Sequence, residues 1–206
     1  MLQPLTESAF AEKTNVSRET LRRFRSYADL LVNWQASINL VSENTLKDLW
    51  RRHIWDSVQL ARFIPKSPCV ITDLGSGAGF PGLLLSIFLD TEVNLVDSSG
   101  KKIAFLREAA RVTDANVVLH QGRIENLLLP KSDLVTARAL APLDKLLDLA
   151  VPVLSPSGRC LFLKGARAEE ELTDARKEWK MTVERFPSAT NANGVILSIR
   201  DIARDG

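Results

Sequence analysis

The sequence predicts an α/β protein: a mostly parallel sheet, a helical extension before it, and a C-terminal antiparallel hairpin. Three observations predict it. From about residue 69, short apolar runs alternate with helix-length segments, the pattern of successive βαβ units. Before that point the apolar residues recur at helical spacing. The last two strand-like runs have no helix-length segment between them, so they are expected to pair antiparallel.

In the N-terminal third, Leu21, Phe24, Ala28, Leu31, Trp34 and Ile38 form one apolar stripe beside Arg22, Arg23 and Arg25, with Ser17 as the cap. Two shorter helices are expected over 45–51 and 53–63, closed by Pro65 and Pro68. The strands are expected at 69–74, 93–97, 117–120, 133–137 and 159–163, with helices between them at 81–89, 101–111, 143–154 and 168–179. The hairpin strands fall at 181–186 and 195–200. This divides the chain into an extension over 1–66 and one α/β domain over 67–206. All four tryptophans, Trp34, Trp50, Trp55 and Trp179, are expected in helices.

A chain of 206 residues suits one domain, or one with an added terminal piece. Its 45% hydrophobic and 25% charged residues are those of an ordinary folded protein. The first residues lack the basic start and apolar run of a secretory signal, and no apolar stretch is long enough to span a bilayer. A cytoplasmic protein without a membrane partner is expected, and a monomer. Cys69 and Cys160 sit in apolar runs and read as buried, inert thiols. His53 and His120 are far apart with no Cys or His cluster near either, so no metal site is expected. A net charge of +2 says little about partners; the placement of the charges says more.

The sharpest signal is Asp73-Leu74-Gly75-Ser76-Gly77-Ala78-Gly79-Phe80-Pro81-Gly82, between the first strand and a helix. Glycines let backbone approach a ligand and adopt positive φ, and the helix N-terminus favours an anionic group. Asp97 ends the second strand, where a carboxylate accepts hydrogen bonds from both ribose hydroxyls. Two ligands fit. Gly77-x-Gly79-x-x-Gly82 matches a nicotinamide dinucleotide fingerprint. Against it, Leu74-Gly75-Ser76 intervenes between the strand and Gly77, and little chain is left for an oxidoreductase's substrate domain. Asp73 followed by Gly75-x-Gly77-x-Gly79 resembles methyltransferase motif I. A parallel sheet ending in a hairpin resembles the Rossmann-like class I S-adenosylmethionine-dependent methyltransferase fold.

Further stretches carry a more specific resemblance: Asn39-Leu40, His53-x-x-Asp56-Ser57, Val96-Asp97-Ser98-x-x-Lys101-Lys102-x-x-Phe105-Leu106, Gly122-Arg123-x-Glu125, Ala137-Arg138-Ala139, and Leu163-Lys164-Gly165 with Glu169-Glu170. With the glycine loop, this ordered set resembles the GidB/RsmG family of 16S ribosomal RNA guanine-N7 methyltransferases over nearly the whole chain. The resemblance implies S-adenosyl-L-methionine as cofactor, 16S rRNA or a small-subunit particle as partner, and methylation at N7 of guanine 527 in the 530 loop. It implies cofactor contacts at Gly75, Phe80, Ile124, Glu125 and Arg138, to which the loop and ribose arguments add Gly77 and Asp97. Ala78 stands where the family often has proline, Val41 where threonine is common, and the extended basic tail of some members is absent.

N7 of guanine already carries an exposed lone pair, so in-line positioning suffices and no general base is assigned. A carbonyl or carboxylate near the purine would stabilise its developing positive charge. No Asp/Asn-Pro-Pro-aromatic motif follows the fourth strand to hold an exocyclic amine, and no Pro-Cys nucleophile is assigned for attack on a pyrimidine ring carbon, since Pro68-Cys69 opens an apolar run and its thiol reads as inert. Lys101, Arg123, Lys164 and Arg167 fall at or just after strand ends, where they could hold RNA phosphates. Arg138 could alternatively pair with Asp73 or Glu125. His53, Asp56 and Ser57 share one helical face, suited to a hydrogen-bonded packing motif or a substrate contact rather than a hydrolytic triad. The rival functions are a nicotinamide oxidoreductase and a noncatalytic RNA-binding protein on the same scaffold.

Overall fold

A computed structural model describes residues 3–65 and 69–205. The expected extension–domain boundary at 66/67, together with Pro68 and the first two residues, lies outside the described residues.

The first third is helical. Helix α1 (Glu7–Thr14), absent from the expected elements, is capped by Thr6, whose side chain accepts the Ala9 N–H. Helix α2 (Arg18–Gln35) is capped by Ser17 in the same way, through the Thr20 N–H. Its buried stripe is Phe24, Tyr27, Ala28 and Leu31; the helix stops before Ile38. Two clean helices were expected next, but the chain instead follows one irregular path. Helix α3 (Glu43–Leu46) leads to a π-helical turn (Trp50–Trp55), helix α4 (Asp56–Val58) and a 3₁₀ turn (Gln59–Phe63). The wide turn holds His53 and the adjoining Asp56 against the end of the sheet, in keeping with the frequent placement of π turns at functional sites.

The remaining elements are β1 (Ile71–Leu74), α5 (Gly82–Leu89), β2 (Val93–Asp97), α6 (Gly100–Thr113), β3 (Val117–Gln121), β4 (Ser132–Arg138), α7 (Leu143–Ala150), β5 (Leu154–Lys164), α8 (Ala168–Ala175), β6 (Trp179–Pro187) and β7 (Val195–Arg204). They form a seven-stranded sheet in the order β3-β2-β1-β4-β5-β7-β6. Strands β1 to β5 run parallel, and β7 enters antiparallel between β5 and β6. That insertion departs from the 3-2-1-4-5-6 order of the dinucleotide-binding Rossmann sheet.

Three expected bounds are corrected. Helix α7 ends at Ala150 rather than 154, because Pro152 cannot continue a helix and Leu154 already pairs with Ser132. Helix α8 ends at Ala175, and Trp179 opens β6 opposite Arg204 instead of lying in a helix. There its ring is buried under the Arg204 guanidinium, 4.6 Å from the centroid, so sheet packing outweighs the local helical pattern. Cys69 lies ahead of β1 and is only partly buried, unlike Cys160.

Two apolar layers sandwich the sheet. Phe10, Phe24, Tyr27 and Leu31 from the extension share one with Ile71, Leu83, Phe105 and Leu106. Val135, Leu143, Leu147, Phe162 and Leu172 lie in the other. Every residue of β1 and β2 is buried, as expected for central parallel strands covered on both faces. The carboxyl ends of β1, β2 and β4 are thereby fixed in one row.

Candidate active site

The loop after β1 is a folded cradle. Gly75, Gly77 and Gly79 have φ of 66°, 58° and 95°, where a side chain would be strained. Gly82 is needed for a different reason: a Cβ there would lie 2.5 Å from both Asp73 Cβ and Leu95 Cδ2. Buried Asp73 accepts the Gly82 N–H at 3.2 Å and the Thr136 hydroxyl at 2.7 Å, joining β1, α5 and β4. Burial raises its carboxyl to about 6, against the lowering pull of Thr136 and Gly82. From the extension, Tyr27 donates its hydroxyl to Ala78 O at 2.6 Å, bracing the loop from behind.

Beside the cradle lies a crevice of about 360 Å3 that brings together Gly75, Asp97, Arg123, Ile124 and Glu125. Asp97 accepts the Gly77 N–H at 2.9 Å through Oδ2 and the Ser99 N–H at 2.8 Å through Oδ1. Each oxygen keeps a further lone-pair site for a ligand hydroxyl. Lys102 Nζ stands 3.7 Å from Asp97 Oδ2 and also lines the crevice, whereas Lys101 is exposed on the first turn of α6. Gly77 contributes through its bond to Asp97 rather than as part of the crevice wall.

Phe80 and Arg138 belong to a second cluster. Phe80 is buried, with the His53 ring stacked on it at 4.7 Å and the Arg138 guanidinium 4.4 Å from its centroid. Arg138 pairs with neither Asp73 nor Glu125: Nη1 donates to Arg52 O at 3.1 Å and Asp56 Oδ2 at 3.2 Å, and Nη2 to His53 Nδ1 at 2.8 Å. Nδ1 is therefore unprotonated, and Nε2–H donates to Thr45 at 2.9 Å. Burial, with the Arg138 and Arg52 charges, pushes His53 down to about 3. Asp56 also accepts from Gln59 Nε2 at 2.9 Å and from the Thr190 hydroxyl. The expected packing motif is thus present, and what it packs is the arginine at the end of β4.

The next residue, Ala139, has φ of 53°, the left-handed region that non-glycine side chains rarely occupy. It lines three cavities at once: the crevice at Asp97, one of about 310 Å3 beside Leu40, His53 and Asn191, and one of about 440 Å3 beside Lys164, Arg167 and Asn191. Leu140, its neighbour, lies over Gly75, with Cδ1 2.5 Å from where a Cβ would be. Lys164 is turned inward, donating to Ala141 O at 2.8 Å and Glu171 Oε2 at 2.7 Å, while Arg167 and Arg123 are exposed.

The sequence reading missed Tyr27, Thr190, Asn191 and Leu140. Tyr27 carried a usable signal, falling three residues after Phe24 on the buried stripe. Gln35 was also missed: its side chain holds both Leu40 and Val41 backbone N–H groups, at 3.0 and 3.1 Å, shaping the cavity wall.

A parallel sheet with an inserted antiparallel strand, a glycine cradle at β1 and a carboxylate at β2 define a methyltransferase of the Rossmann-like class. A profile of the GidB family, described as rRNA small subunit methyltransferase G, matches residues 20–196. The protein named Ribosomal RNA small subunit methyltransferase G of Paramagnetospirillum magneticum is 54% identical over 192 residues, covering 93% of this chain and 94% of that protein. Its namesake in Rhodospirillum centenum is 51% identical over 197 residues, covering 96% and 91%. In fold, the chain is similar to the crystal structure of M. jannaschii TYW2 in complex with AdoMet, with a TM-score of 0.55 at 16% identity over 82% of this chain and 78% of that one. The chain belongs to the rRNA small subunit methyltransferase G family.

Proposed function

We propose that this methyltransferase binds S-adenosyl-L-methionine in the Asp97 crevice and methylates N7 of guanine 527 in the 530 loop of 16S rRNA. One observation carries the placement: Ala139 borders the Asp97 crevice and both neighbouring cavities, so donor and acceptor can meet at the end of β4. The family resemblance supplies the base and its position.

The residues fit the donor. Asp97 is pre-oriented by two backbone N–H groups to accept ribose hydroxyls, and Ile124 and Glu125 border the adenosine side. The Nε edge of Arg138 has no partner among the described residues and suits the methionine carboxylate. The bound cofactor supplies an electrophilic methyl group on a sulfonium. The chain supplies alignment. Both His53 ring nitrogens are engaged, consistent with a nucleophile that needs no proton removed. Exposed Lys101, Arg123 and Arg167 are proposed at the RNA-facing rim, whereas Lys164, expected there from sequence, is turned inward. We further read the protein as a cytoplasmic monomer that needs no metal; no described helix is long and apolar enough to cross a membrane.

The test is direct. The purified chain is titrated with adenosylhomocysteine and with NAD, then given small subunits and labelled donor. Adenosylhomocysteine binding with label in 16S RNA supports the proposal. NAD binding alone favours the oxidoreductase, and RNA binding without transfer favours the noncatalytic scaffold.

A further inference from the structure

We infer that Lys164 and Glu171 form a positioning pair for methyl transfer, holding the turn after β4 where the donor crevice meets the acceptor cavity. The inference rests on the methyltransferase reading above.

A lysine reserved for RNA phosphate is expected to extend a free ammonium into solvent. Lys164 does the reverse. Its side chain is 9% exposed, and two of its three donors are spent on Ala141 O and Glu171. The Glu171 carboxylate, in the first turn of α8, offsets its charge. By contrast Arg167, on the same cavity, is exposed.

What the pair grips is the turn 139–142. Arg138, just before the turn, is fixed by Arg52 O, His53 and Asp56 from the extension. The Ala141 carbonyl, near the far end, is fixed by Lys164. Between these anchors lie left-handed Ala139 and Leu140, the latter seated on Gly75. Such a conformation in a non-glycine residue persists only where the surroundings over-determine it, and two anchors do so here. Both residues border the Asp97 crevice and the 440 Å3 cavity, so movement of the turn alters the line from methyl donor to acceptor.

The test uses the full chain with small-subunit RNA particles as substrate. Lys164→Met is expected to lower kcat by about 10- to 100-fold, the scale of an ångström misalignment, while adenosylhomocysteine affinity changes far less. Glu171→Gln lowers kcat in the same direction. Lys164→Arg, which keeps a donor to both partners, retains most of the activity. The dependence of RNA affinity on salt stays that of the wild type.

The opposite pattern overturns the inference. A phosphate-binding Lys164 predicts that Lys164→Met lowers the salt slope by about one while saturating RNA restores kcat. It also predicts that Glu171→Gln tightens RNA binding by freeing the ammonium. Should Lys164→Met fail to fold, Glu171→Gln decides between the two by the sign of its effect on RNA affinity and on kcat. Full activity in both variants removes the pair alone. A wild-type chain that transfers no methyl group removes the underlying reading instead.

Discussion

Replacing Asp97 by alanine tests whether one carboxylate serves both the cradle and the proposed ligand. The side chain is 7% exposed and accepts the N–H groups of Gly77 and Ser99, so truncation leaves two donors without their acceptor. Each such loss costs about 1–3 kcal/mol when the donor stays dry. Gly77 and Ser99 are both partly exposed, so water reaches the freed N–H groups, the low end applies and the sum is about 2 kcal/mol. For a chain of this size that is a fall in Tm of about 4–8 °C. Donor affinity falls further, because two ribose hydroxyls lose a charged acceptor at about 1.5–3 kcal/mol each. Even one such bond corresponds to about a 10- to 100-fold rise in Kd. Calorimetric titration with adenosylhomocysteine and a thermal melt measure the two effects separately. An unchanged Kd with the expected fall in Tm would refute the ribose assignment and leave Asp97 as a brace for the loop.

Gly82→Ala places a methyl group 2.5 Å from Asp73 Cβ on a buried strand; overpacking of about 1–3 kcal/mol is expected, seen as a lower denaturation midpoint, and an unshifted midpoint would contradict the close packing of α5 on β1. Arg138→Ala removes a buried cation and strands Asp56 and His53 Nδ1, so about 3 kcal/mol of stability and most methyl transfer are expected to go together; full activity would mark the arginine as structural only. His53, depressed to about 3 in the folded chain, is protonated preferentially on unfolding, so its contribution is complete above about pH 6.5 and is lost as pH falls toward 3. The loss at pH 5 is about 2 kcal/mol, and the stability gap between wild type and His53→Gln narrows by that amount from pH 7.5 to pH 5. Asp73, raised to about 6, shifts both proteins the other way, gaining stability on acidification through that range. A gap independent of pH would show that His53 titrates normally.

Much of the fold was legible because its signals are local. Strand β2 was read with its observed bounds, since its buried run ends at the carboxylate of Asp97. The irregular path over 43–63 was not, because a π turn and a 3₁₀ turn keep nearly the apolar spacing of an α-helix. Trp179 misled for another reason: its place is set by pairing with Arg204, twenty-five residues away, which no window of local sequence contains. The site divides the same way. The resemblance and the strand ends brought Gly75, Asp97, Ile124 and Glu125 into one crevice. The partners of Arg138 came from Arg52, His53 and Asp56, and those of Asp56 from as far as Thr190, contacts fixed only by tertiary packing. Lys164 could be placed at the end of β5 from sequence, but the inward turn of its ammonium toward Glu171 could not.

Chemical mapping of N7-methylguanine decides the matter most directly. Small subunits lacking the modification are incubated with the purified protein and donor, then their 16S RNA is cleaved at methylated guanines. A single new break at position 527, abolished by adenosylhomocysteine, is expected. A break elsewhere, or label recovered on another atom, would contradict the proposal.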